Sequence, residues 1–68
     1  MDLFIVEVEF YDGRNKGQVW KYCNLNLIQV LDLHDSFSLS IIRESNIFVQ
    51  ICLEDSKRIP IEDLILNL

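Results

Sequence analysis

The chain has 68 residues, of which 50% are hydrophobic, and its 11 acidic against 6 basic side chains give a net charge of −5. That length sets a ceiling of one small domain, residues 1–68, and a chain so short hides only a modest fraction of its surface. An acidic balance, with an isoelectric point near 4.5, argues against gripping a phosphate backbone with the whole surface, which takes clustered Lys and Arg.

Residues 3–11 alternate. Phe4, Val6, Val8 and Phe10 share one side, and Glu7 and Glu9 share the other. Apolar on one face and charged on the other is the pattern of a half-buried strand. Met1-Asp2-Leu3 leads straight into it, with no basic start and no small-residue cleavage site. No apolar run approaches the roughly 20 residues that span a bilayer. The chain therefore reads as cytoplasmic, with Cys23 and Cys52 expected as reduced, partly buried thiols.

Asp12-Gly13-Arg14-Asn15-Lys16-Gly17 holds both glycines of the chain and two of its basic residues. It predicts a long, mobile, basic hairpin tip. The return strand covers 19–27, with Phe10 facing Trp20, Val8 facing Tyr22 and Glu9 facing Lys21. That register gives apolar cross-strand pairs inside and an opposite-charge pair outside.

Residues 25–33 are ambiguous. On a helical wheel Leu25, Leu27, Ile28, Val30, Leu31 and Leu33 leave no polar stripe. A strand is therefore expected, with a bend or bulge around 24–28 where alternation falters. A hairpin is expected over 37–53, turning at Glu44-Ser45-Asn46. It sets Arg43 against Ile47, Ile41 against Val49, Leu39 against Ile51 and Phe37 against Leu53. The expected buried set is Leu31, Leu33, Phe37, Leu39, Ile41, Val49, Ile51 and Leu53. A polar turn at 54–57 leads to an edge segment at 59–61, where Pro60 limits pairing. A 3₁₀ or helical turn near 60–64 then precedes a last strand.

The predicted fold is an all-β domain of about five strands, an antiparallel meander or a partly open barrel. Strand count and the late turn resemble the architecture of SH3-like small barrels. No motif carries that resemblance further, and such an architecture hosts unrelated functions.

Catalytic readings are thin. His34 lies between Asp32 and Asp35, and an Asp can orient an imidazole for base catalysis. Polar residues also collect at turns, and no nucleophile accompanies the trio, so no enzyme is expected and no catalytic residue is named. Cys23, Cys52, His34 and Asp32 lack the close ligand spacing of a zinc site, so no metal and no cofactor are expected. Gly13 to Gly17 has three intervening residues where a P-loop needs four and then Lys-Ser or Lys-Thr. Trp20, Tyr11 and Tyr22 offer a stacking surface for single strands, but Trp20 and Tyr22 fall on the predicted core face.

The exposed carboxylates remain. Glu7 and Glu9 stand about 6.5–7 Å apart along a strand, close to the spacing of successive phosphates. These features point to a non-catalytic protein-binding module, a small acidic inhibitor or regulator such as a virus or mobile element encodes, one form being a nucleic-acid mimic. Its partner-binding residues would be Glu7, Glu9, Asp12, Arg14, Lys16 and Phe48. The apolar surplus, including Ile28, Val30, Ile42 and Phe48 on the even-numbered face, predicts association with another protein or with itself as a homodimer. The alternative is a nucleic-acid-binding small β-barrel using the basic 12–17 tip. Convergence of the basic side chains on one face would favour that alternative. A continuous acidic stripe would favour the inhibitor.

Overall fold

Strict alternation makes β1 (Phe4–Phe10) the strand on which the rest is built. In the computed structural model, which describes residues 2–53 and 56–68, Val6, Val8 and Phe10 are buried while Glu7 and Glu9 are not. β1 pairs antiparallel with β2 (Val19–Leu25) on one side and with β3 (Ser45–Ile51) on the other. β4 (Ile59–Pro60) adds a two-residue edge beside β3. The described residues thus form a four-stranded antiparallel open sheet in the order β2-β1-β3-β4.

β2 and β3 both run opposite to β1, so they run parallel to each other with β1 between them. A parallel return cannot be made by a tight hairpin and needs a long crossover, usually helical. Here α1 (Leu27–Ser36) and α2 (Leu39–Arg43) supply it. This replaces the expected strand over 25–33 and the first arm of the expected 37–53 hairpin. Ile47, Val49 and Ile51 pair with Val8, Val6 and Phe4 of β1 instead of Arg43, Ile41 and Leu39.

α1 starts with a capping box. The Asn26 side chain accepts from the Gln29 amide at 2.8 Å, and the Gln29 side chain accepts from the Asn26 amide at 2.9 Å. Two orphan donors of the first turn are thereby satisfied. Ser38 caps α2, accepting from the Ile41 amide at 3.3 Å. α3 (Ile61–Leu66) follows β4 directly, with Pro60 preceding its first residue and Glu62 and Asp63 in the first turn, where the helix dipole favours acids. It lengthens the helical turn expected near 60–64 and takes the place of the expected last strand.

The core lies between the helices and one sheet face. Val6, Val8, Phe10, Ile47 and Val49 meet Val30 of α1 and Ile61 of α3 there. Val6, Val8, Val30 and Ile61 are fully buried, each stabilising the fold by about 1.5–3 kcal/mol through transfer from water. Phe10 and Trp20 meet edge to face with ring centroids 4.7 Å apart, a favoured aromatic geometry. Of the set expected to be buried together, Val49 is in this core, Leu33, Phe37 and Ile41 are only partly buried against it, and Leu39 is 60% and Leu53 65% exposed. Val30 and Ile42, expected on an uncovered face, lie in or against the core.

The β1–β2 register differs from the expected one by two residues: Val8 faces Trp20, Val6 faces Tyr22 and Glu7 faces Lys21. A two-residue shift keeps every side chain on its face, so the core assignment of Trp20 and Tyr22 survives. The expected bulge is present. Val6 pairs with Tyr22 and Phe4 with Leu25, which gives β2 one extra residue, and Asn24 takes φ +59° there. Asn tolerates that left-handed conformation better than most side chains.

Candidate binding surface

Because both crossover helices and α3 cover a single sheet face, the opposite face is open. Glu7 and Glu9 stand on it at the centre, with Lys21 on β2 and Phe48 on β3 beside Glu7 by register. Arg58, two residues before Pro60 and on the same side of that edge, reaches across. Its guanidinium donates to Glu7 at 3.1 Å and to Glu9 in a shorter contact, and its carbon lies 4.2 Å from the Phe48 ring centre. Lys21 Nζ stands 3.8 Å from Glu7. The guanidinium is held above its ordinary pKa chiefly by the hydrogen bond to Glu9, opposed by desolvation and helped by the charges of Glu9 and Glu7.

The two expected signatures therefore meet on one surface and offset each other. Glu7 and Glu9 form no free acidic stripe, since Arg58 and Lys21 stand among them. Arg58 and Lys21 form no basic platform, since the glutamates take them up. Phe48 is half-buried beneath Arg58.

Asp12, Arg14 and Lys16 lie elsewhere, on the loop beyond the far end of β1. Seven residues of strand, at about 3.3 Å each, separate that loop from the start of β1. The loop is tied down. The Tyr11 amide donates to the Glu44 carbonyl at 2.9 Å, and the Tyr11 hydroxyl donates to the Arg43 carbonyl at 2.5 Å. The Asp12 carboxylate accepts from the Gly13 amide at 2.8 Å, so part of its role is to shape the turn. Arg14 and Lys16 are exposed. The expected partner-binding residues thus divide between an open sheet face and a loop.

A third surface was not anticipated. Where β1 begins and β2 and β3 end, two concavities flank the chain at Asp2. One of about 480 Å³ is lined by Asp2, Phe4, Asn26, Leu27 and Ile28. The other, of about 170 Å³, is lined by Asp2, Leu3, Ile51, Cys52 and Leu53. Leu3, Ile28 and Leu53 are 40%, 70% and 65% exposed. Ile28 is turned outward by helical phase, since Val30 two residues on faces the core and successive residues step by 100°. The capping sequence Asn26-x-x-Gln29 was the available signal for that helix.

Cys23 and Cys52 are unbridged and exposed, not partly buried as expected. Cys23 lies in β2 and Cys52 just past the end of β3, with β1 between those two strands. His34 sits in the last turn of α1, its side chain 22% exposed and Nδ1 3.9 Å from Asp35. Among the described residues no three metal-ligating side chains gather, and no helix is long and apolar enough to cross a membrane. Compared with known proteins, the chain matches no family model, no curated protein and no solved structure. The fold and its surfaces alone define a class: a small sheet-rich domain with one helix-covered face, one open face and an apolar end.

Proposed function

We propose that this chain is a non-catalytic protein-binding module that acts by occupying a surface of another macromolecule, as a small inhibitor or regulator does. The apolar end carries this reading: Leu3, Ile28 and Leu53 stay in water around two adjoining concavities in a chain short of apolar cover. Side chains of this kind, gathered into a patch, mark interaction surfaces more often than scattered ones do. Concave, mostly apolar walls with a few polar groups also suit a docked side chain. The ion pairs of Glu7 and Glu9 lower the charge those residues present, so the apolar end and not the acidic face is the proposed contact.

The test is affinity capture from the native host with the wild-type chain and with Ile28→Asp. Ile28 is exposed and second in its helix, where an acid suits the dipole, so the variant should fold. Proteins retained by the wild type and lost with Ile28→Asp support the reading. Equal recovery by both chains refutes it.

A further inference from the structure

We infer that the apolar end receives an extended partner segment carrying one Lys or Arg between two apolar side chains, one large and one smaller. This rests on the protein-binding reading and names the chemistry of the partner. Three observations lead to it. Asp2 belongs to the lining of both concavities, so an acidic residue is shared by two apolar basins. Beyond Asp2, the described residues of those linings are apolar side chains with Asn26 and Cys52, and no Lys or Arg is among them. The whole chain carries −5, so long-range attraction also favours a basic approach.

The two basins differ in volume by nearly threefold, about 480 against 170 Å³. They therefore distinguish the two apolar side chains. A branched or aromatic residue suits the basin walled by Phe4, Leu27 and Ile28, and a smaller one suits the basin beside Cys52. In an extended segment side chains alternate faces. The three contacting residues then occupy every second position, with the cation in the middle opposite Asp2. Asn26 already spends its side-chain oxygen on the α1 cap, which leaves Asp2 to recognise the charge.

The experiment uses the full chain and five-residue capped peptides, Phe-Ser-Lys-Ser-Val, its Glu-centred counterpart and Ser-Ser-Lys-Ser-Ser, titrated by amide NMR. The expected result is that the Lys-centred apolar peptide shifts signals of Asp2, Phe4, Ile28 and Cys52. The Glu-centred peptide should bind more weakly by up to about fivefold, in keeping with a single exposed ion pair. Asp2→Asn should reduce that preference without altering the rest of the spectrum, and added salt should do the same. Equal binding of the Lys and Glu peptides, or shifts confined to the open sheet face, overturns the inference. Concentration-dependent self-association abolished by Ile28→Asp would overturn it in favour of a second copy as occupant. Host proteins lost on Ile28→Asp, together with no peptide binding, would leave the protein-binding reading standing and remove only this chemistry.

Discussion

The guanidinium of Arg58 lies over the ring of Phe48, 4.2 Å from its centre, while the same group holds Glu7 and Glu9. One side chain from the segment before β4 thereby fastens itself to β3 and β1 together. Surface ion pairs are weak singly, but a planar guanidinium that stacks and bridges two carboxylates has a geometry Lys cannot copy. Arg58→Lys should lower the thermal midpoint, and the loss should shrink in high salt. Identical melting of variant and wild type would show that the contact is ornamental. The sign of the pH effect follows from the raised pKa of Arg58. A raised value contributes stability fully present below the unfolded-state pKa and lost only as pH climbs through the folded one. The Arg58 share should therefore be constant from neutral to moderately alkaline pH.

Burial separates two residues of similar chemistry. Ile61 is fully buried and Leu39 is 60% exposed. Ile61→Ala should cost roughly 2–5 kcal/mol in urea unfolding, whereas Leu39→Ala should stay within about 0.5 kcal/mol. A large loss at Leu39 would restore the all-β hairpin and sink the helical crossover.

The capping box fixes where α1 begins. Asn26→Ala should destabilise by about 0.5–2 kcal/mol, and Gln29→Ala should destabilise as well, since each variant loses one of the two reciprocal bonds. Amide exchange at residues 27–30 should rise in both. Unchanged protection there would mean that packing of Val30 alone holds the first turn.

Both glycines adopt positive φ, +75° at Gly13 and +88° at Gly17, but their surroundings differ. A Cβ at Gly13 would come within 2.0 Å of the Glu44 carboxylate, while one at Gly17 meets nothing within 4 Å. Left-handed backbone costs an L-residue about 1–2 kcal/mol at either site. Gly13→Ala should therefore lose more stability than Gly17→Ala. Pairing Gly13→Ala with Glu44→Ala should remove the difference in a chemical denaturation series.

Nucleic-acid binding should be weak. Arg58 and Lys21 are engaged with glutamates, and Arg14 and Lys16 share their end of the molecule with Asp12 and Glu44. Titration of labelled DNA and RNA at low salt should give no sub-micromolar affinity. Tight binding with a steep salt slope would instead favour the basic 12–17 tip as the functional site.

Alternation alone placed Val6, Val8 and Phe10 inside and Glu7 and Glu9 outside, because a strand with one buried face has a period of two. It also put Trp20 and Tyr22 on the correct face. It could not choose between registers two residues apart, since both keep all faces. That choice fell to the loop, where Phe10 donates to the Gln18 carbonyl at 3.0 Å and Gly17 to that of Phe10 at 3.0 Å. Residues 27–36 were legible only through Asn26 and Gln29, because apolar side chains around a short helix leave no stripe. Ile41 and Val49 looked like cross-strand partners, yet β3 found better partners in Val6 and Val8. A strand buried between two neighbours gains more than a hairpin with one. That competition is decided across the whole chain, and so are its consequences: Ile28 and Leu53 in water, Val30 at the core, and Arg58 over Phe48. Local pattern determines which side chains seek burial. Only the tertiary structure decides which of them find it, because the helices have enough surface to cover one face of the sheet and leave the rest to solvent or to a partner.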